Sequence, residues 1–333
     1  MGSYFSSSRF DPSRDIPSLK GKVILVTGAN SGIGYQTAVY LALNGARVYV
    51  GARNEGRGLE AIKKMEDDHP SLRGENRLLP HELDLSTMTS AEKSALAFLE
   101  REKRLDVLVN NAGVGNSSYR IGPEGIEAAF VVNHLAQFVL TTTLLPLIAQ
   151  TASLPDGDGR IIAVSSDAHN LVKNNPKFAS VDDFNSIVAP KVKVANTFYN
   201  RTLRYGMSKL ANVLFSKELQ RRLLEDESTS EIISLAVNPG LVDTPATKRS
   251  LWFLYFVPKS WVFYTPLQGA SASLFAAASP IVRENSALYR GAYLTSFGKI
   301  SKPSQLGQDN QLARHLWATS EAVVEQTLAK AGL

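Results

Sequence analysis

Tyr205 and Lys209 stand four positions apart in the stretch Tyr205-Gly206-Met207-Ser208-Lys209. On a helix this spacing puts a phenol and an ammonium on one face, a single turn apart. A free tyrosine titrates near about 10, too high for proton transfer at neutral pH, and an adjacent cation stabilises the phenolate and brings that value down. Such a pair is suited to give a proton to a carbonyl oxygen or take one from an alcohol. Far upstream, Thr27-Gly28-Ala29-Asn30-Ser31-Gly32-Ile33-Gly34 is a glycine-rich turn that leaves a strand and opens a helix. That is where a nucleotide diphosphate sits, against backbone amides at a helix N-terminus. A proton-transfer pair combined with a nucleotide turn points to hydride transfer.

Gly28, Gly32 and Gly34 follow the spacing G-x3-G-x-G rather than the commoner G-x-G-x-x-G. The physics is shared, because glycine permits the tight turn and lets the backbone approach a diphosphate closely. The end of the second expected strand discriminates between cofactors. An acidic residue there would bond an adenosine ribose and repel a 2′-phosphate. The chain instead reads Val48-Tyr49-Val50-Gly51-Ala52-Arg53-Asn54, with a guanidinium suited to phosphate, so NADP(H) is the expected cofactor.

These residues need elements to position them. Val23–Thr27 is a β-branched apolar run, as expected of a strand buried on both faces. Helical spacing follows to Leu43 and stops at Asn44-Gly45. Further strands are expected at Arg47–Val50, Leu78–Leu83, Asp106–Asn110, Arg160–Ser165 and Ile232–Asn238, with helices at 56–68, 89–101, 130–148 and 205–225. Strands alternating with helices at this pace predict an α/β fold with a parallel, doubly wound sheet in a single domain. The polar stretch 167–204 reads as an enlarged loop, and residues 1–18 as an N-terminal extension with no apolar core of a signal peptide.

Composition limits the alternatives. Among 333 residues there is no cysteine, which removes thiolate catalysis and cysteine-bound zinc. The net charge of +5 comes from scattered Lys and Arg with no basic run, so no nucleic-acid partner is expected. His134 and His169 have no neighbours at metal-ligand spacing; both read as structural, and no metal is expected. No stretch reaches the roughly 18 to 20 apolar residues that span a bilayer.

Taken in order, the motifs resemble the short-chain dehydrogenase/reductase family over nearly the whole chain. The resemblance rests on the glycine turn, Asp84-Leu85, Asn110-Asn111-Ala112-Gly113, Asn133, Ser165-Ser166, Tyr205 with Lys209, and Pro239-Gly240 with Val242 and Thr244 beyond. Within the family it is most similar to the retinol-dehydrogenase-like branch, through Ser165-Ser166-Asp167-Ala168-His169, Ser208-Lys209-Leu210-Ala211-Asn212 and Leu312-Ala313-Arg314-His315-Leu316-Trp317. The resemblance implies a Rossmann-type fold and a catalytic set of Asn133, Ser166, Tyr205 and Lys209. Ser166 would hydrogen-bond the substrate oxygen, Lys209 would also hold the nicotinamide ribose, and Asn133 would position a water that relays protons to Lys209. Cofactor contacts would come from Gly28, Asn30, Ser31, Gly32, Ile33 and Gly34, from Arg53, Asp84, Leu85, Asn111, Ala112 and Gly113, and from Tyr205, Lys209, Pro239, Gly240, Val242 and Thr244. Two departures stand out. The chain shows no membrane-anchoring N-terminal helix, and the stretch between Ser166 and Tyr205 is longer than usual.

The region 243–265 is expected to form a substrate lid. It contains Trp252, Phe253, Tyr255, Phe256, Trp261, Phe263 and Tyr264, with Lys259 alone breaking the run. This density suits a pocket for a large hydrophobic or aromatic substrate, and contact with a membrane interface is the second reading. The expected function is therefore NADP(H)-dependent interconversion of a carbonyl and an alcohol, run as a reductase. Isomerisation or quinone reduction on the same scaffold, and a non-catalytic NADP(H)-binding regulator, stay open as alternatives. A cytoplasmic location, with peripheral membrane contact open, and a homodimer or homotetramer complete the expectations.

Overall fold

The computed structural model describes residues 9–173, 176–185, 192–250 and 262–333. Eight strands form one sheet: β1 (Val23–Thr27), β2 (Arg47–Ala52), β3 (Leu78–Glu82), β4 (Val107–Asn110), β5 (Arg160–Val164), β6 (Ile233–Val237), β7 (Tyr293–Thr295) and β8 (Lys299–Ser301). Their spatial order is β3-β2-β1-β4-β5-β6-β7-β8, parallel throughout except for the last pair, β7 and β8. Every residue of β1, β5 and β6 is buried, so these strands show continuous rather than alternating burial, as expected of a sheet covered on both faces.

Seven longer helices cover the sheet: α1 (Gly32–Leu43), α2 (Glu55–Asp68), α3 (Met88–Arg101), α4 (Ala128–Ala152), α5 (Phe198–Leu223), α6 (Pro266–Ala278) and α7 (Asn310–Lys330). Alternate strand residues feed two separate cores. Leu25, Leu108 and Ile161 pack with α3, α4, α5 and α7, while Ile24, Val26, Val109 and Ile162 pack with α1, α2 and α6. Burial of two apolar layers on one sheet is what the doubly wound expectation requires. The N-terminal stretch belongs to the second layer: Ile16 and Leu19 are buried, and Phe10 meets Phe275 of α6 edge-on.

Two expectations need correction. Helix α5 begins at Phe198, two turns before Tyr205, because the Thr197 hydroxyl caps it by accepting from the Asn200 amide at 3.3 Å. Its polar first turns carry no apolar stripe, so periodicity could not find them. Second, 167–203 is not irregular throughout, since it holds a 3-10 turn at Asp167–Leu171 and short helices at Val181–Asn185 and Val192–Ala195. Phe178 and Phe184 anchor it, fully buried against Phe130 at the start of α4. Helix α4, expected as a long helix over 130–148, is long and apolar enough to cross a membrane by length and composition, yet 72% of its apolar window is buried inside the fold. It is a core helix.

Candidate active site

Strand order reverses between β1 and β4, so the loops leaving their C-terminal ends diverge and open a crevice. A cleft of about 770 Å³ lies there. After β1 it is walled by Gly28, Asn30, Ser31, Gly32 and Ile33, after β2 by Arg53, and after β3 by Leu85. Asn111, Ala112 and Gly113 follow β4, Ser166 follows β5, and Pro239, Gly240, Val242 and Thr244 follow β6. Tyr205 and Lys209 enter from α5. Of the residues singled out by sequence, Gly34, Asp84 and Asn133 are not part of this wall.

Gly34 sits one residue behind the turn and acts through packing. A Cβ there would lie 2.6 Å from the Gly28 carbonyl oxygen and closer still to the Asn111 amide nitrogen. Gly28 itself has φ +63°, a conformation open to glycine. The Thr27 hydroxyl accepts from the backbone amides of Asn111 (2.9 Å) and Ala112 (2.8 Å), tying the loops after β1 and β4 together. These glycines leave a backbone cradle that a diphosphate fits. At its outer end Arg53 is joined by Arg57 from the first turn of α2, both exposed and both on the wall. Sequence reasoning missed Arg57, although a second arginine four residues beyond Arg53 carried the signal. Asp84 turns its carboxylate to the Ser86 amide (3.0 Å) and hydroxyl (2.8 Å), shaping the loop after β3.

Helix α5 is bolted to the end of β5. The Ser165 hydroxyl donates to the Lys209 carbonyl at 2.8 Å, and both Lys209 Nζ (2.9 Å) and Asn212 Nδ2 (3.1 Å) donate to the Val164 carbonyl. This brings Ser166 and Tyr205 together on the cleft wall. Burial raises the Tyr205 pKa above its ordinary value, and only the Ser166 contact opposes it. Lys209 Nζ lies 5.7 Å from the Tyr205 ring centre and is turned to Val164, and burial lowers its own pKa to about 8.

Asn133 lies in a π-helical turn of α4, Val131–Leu135, completely buried. Its oxygen accepts from the Val114 amide at 2.7 Å, and its nitrogen donates to the Val114 carbonyl (3.0 Å) and the Ser208 hydroxyl (2.9 Å). It thus braces the loop after β4 against α5. Asn133 Oδ1 and Lys209 Nζ flank Gly113, at 3.2 and 3.3 Å from the position a Cβ would take. Both tempting histidines are built into the fold. His169 Nδ1 contacts the Ser166 carbonyl at 2.6 Å while Nε2 accepts from the Ser304 amide at 3.0 Å, and His134 Nε2 contacts the Ser320 hydroxyl at 2.9 Å. Burial lowers the pKa of both, that of His134 to about 3. Among the described residues no cluster of three or more metal-ligating side chains forms.

At the rim, Val242 and Tyr264 form a parallel bridge, and the Asp243 amide donates to the Tyr264 carbonyl at 2.9 Å. The excursion between them therefore starts and ends beside Gly240. Trp252, Phe253, Tyr255, Phe256, Lys259 and Trp261 lie outside the described residues; Phe263 is buried and Tyr264 packs on Gly240.

A doubly wound sheet whose crevice gathers a glycine cradle, two arginines and a Ser–Tyr–Lys cluster defines a dinucleotide-dependent oxidoreductase class. The sequence profile described as short chain dehydrogenase matches residues 22–179. The short chain dehydrogenase/reductase dpchH of Colletotrichum higginsianum is 39% identical over 325 residues, covering 97% of this chain and 79% of the relative. Human retinol dehydrogenase 14 is 35% identical over 326 residues, covering 92% and 87%. The crystal structure of an uncharacterized protein from Mycobacterium paratuberculosis superposes with a TM-score of 0.69 at 28% identity, covering 96% of this chain and 98% of that one. The chain belongs to the short-chain dehydrogenase/reductase family, an oxidoreductase family, and is retinol-dehydrogenase-like within it.

Proposed function

We propose that this protein is an NADP(H)-dependent enzyme that interconverts a carbonyl and an alcohol on a fairly large hydrophobic or aromatic substrate, working as a reductase. The observation that carries the reading is the gathering of Ser166, Tyr205 and Lys209 on one cleft wall, with α5 tied to the end of β5 through the Ser165 hydroxyl and Lys209 Nζ. The nicotinamide, when bound, supplies or accepts the hydride. Its diphosphate fits the cradle of Gly28 to Gly34, and Asn111 and Leu85 would flank the adenosine. Ser166 and Tyr205 hydrogen-bond the substrate oxygen and stabilise the charge that develops on it. Tyr205, whose pKa burial raises, keeps its proton at neutral pH and delivers it to that oxygen, which is the reductive direction. Lys209 lies on the same wall, its Nζ held by the Val164 carbonyl, as the nearby cation that favours the negative charge left behind. Asn133 holds the loop after β4 and supports a proton relay to Lys209 through a bound water.

The preference for NADPH rests on Arg53, with Arg57 beside it, because a guanidinium binds a 2′-phosphate where an acid would repel it. The stretch 243–265 is read as the lid of the substrate end, since its two stems meet at the rim. The test is oxidation of NADPH and of NADH with a panel of aryl and alkyl ketones. NADPH is expected to be the better reductant, and Arg53→Ala should raise its KM while leaving NADH kinetics nearly unchanged. A wild type that prefers NADH would overturn the assignment of Arg53.

A further inference from the structure

Two polar residues on the cleft wall have no part in the chemistry above. Asn116 follows the loop after β4, and Thr202 lies on α5 one turn before Tyr205. Asn116 Nδ2 donates to Thr202 Oγ1 at 3.1 Å, and Thr202 Oγ1 donates to the Phe198 carbonyl at 2.8 Å. The second bond uses the only hydroxyl proton, so the first must come from the amide nitrogen. The sense of the Asn116 side chain is thereby fixed, and its oxygen is the group left to accept. Among the described residues no donor reaches that oxygen within hydrogen-bonding distance.

The loop that carries Asn116 is held on both sides. Asn133 clamps Val114, as described, and Arg204 Nη2 donates to the Ser117 carbonyl at 2.8 Å. The Asn196 oxygen accepts from the Tyr119 amide at 2.7 Å. An acceptor fixed in this way costs little ordering when a ligand donor meets it, which is the condition for a selective polar contact. Residues three apart on a helix have their Cβ atoms about 5–6 Å apart. The Asn116–Thr202 pair shares the cleft wall with the phenol that handles the reacting oxygen.

We propose that Asn116, oriented by Thr202, forms a second polar subsite that selects carbonyl or alcohol substrates bearing a hydroxyl group away from the reacting carbon. The inference deepens the reductase reading and rests on it. The hydroxyl donates to Asn116 Oδ1; a substrate without it offers that oxygen no donor, which is how a hydrogen-bonding site rejects an otherwise similar molecule.

The probes are meta- and para-hydroxymethyl acetophenone, each paired with the ethyl acetophenone of the same shape, assayed by NADPH oxidation with the full chain. The wild type is expected to favour at least one hydroxymethyl compound over its ethyl partner by about tenfold in kcat/KM, the worth of one good hydrogen bond. Asn116→Leu should collapse that ratio, and Thr202→Val should shrink it by releasing the amide. Thr202→Ser, which keeps the hydroxyl, should restore it. A wild type that turns over both members of each pair equally overturns the subsite while leaving the reductase reading intact. So does an Asn116→Leu variant that slows both members by the same factor, the mark of a purely structural role. If the wild type reduces none of the four compounds nor any ketone of the wider panel, both readings fall together.

Discussion

Tyr205 and Lys209 behave differently from what their spacing suggests, and the difference sets the pH dependence. Burial raises the Tyr205 pKa and lowers that of Lys209 to about 8. Below about 8 Lys209 keeps its ammonium and above it loses the charge, while the phenol stays protonated across the same range. The rate of reduction should therefore be level below about pH 8 and fall as pH rises through that value. A kcat/KM profile for reduction that stays flat well past pH 8 would remove Lys209 from the chemistry. The same depressed value has a stability consequence: charging Lys209 in the fold costs free energy, so its contribution to stability improves as pH rises from about 8 towards its unfolded value. Tyr205→Phe removes one hydroxyl and leaves the ring in place. Fold and NADPH binding should survive it, and kcat should drop by about two orders of magnitude or more, as when a general acid is lost. Turnover near the wild-type rate would sink the mechanism.

At the scale of elements, the site depends on how α5 and the segments before it are fastened. Arg204 precedes Tyr205 and points the other way, 3.7 Å from Glu127 in a pair with both side chains buried. It also donates to the carbonyls of Ala195 and Ser117 and lies 5.4 Å over the Tyr119 ring. Glu127 caps the start of α4, accepting from the Phe130 amide at 2.8 Å. One ion pair thus joins α4, α5, the loop after β4 and the stretch before α5. Removing one partner of a buried pair strands the other, at a cost of about 3–5 kcal/mol. Arg204→Leu should lower stability to urea by that amount, and the double variant Arg204→Leu with Glu127→Leu should recover much of it. If the double variant is destabilised by the sum of the single effects, the two residues are not coupled.

For the whole molecule, the aromatic stretch 251–264 carries a prediction about substrate size. Its stems close at Val242 and Tyr264 on the cleft rim, and a run of this aromatic density suits a pocket wall better than a solvent-facing loop. Replacing Trp252 and Phe256 by Ser should raise the KM for bulky ketones and spare small ones. Unchanged kinetics together with lost binding to liposomes would make the segment a membrane-surface element instead.

The sequence by itself determined the parts that local rules control. Apolar runs place β1 and β2 to within two residues, the stop at Asn44-Gly45 ends α1 at Leu43, and the glycine turn marks the cleft before any coordinate is known. Those signals are short-range, because period, caps and glycine conformations are properties of neighbouring residues. The tertiary structure decided everything that depends on residues distant in sequence. Asn116 meets Thr202 across 86 positions, and the Asn133 amide reaches Ser208 across 75. The C-terminal antiparallel pair β7 and β8 needs the preceding six strands as a template. The proton affinities of Tyr205 and Lys209 follow from burial, and burial is fixed only when the sheet, α5 and the cleft wall close around them.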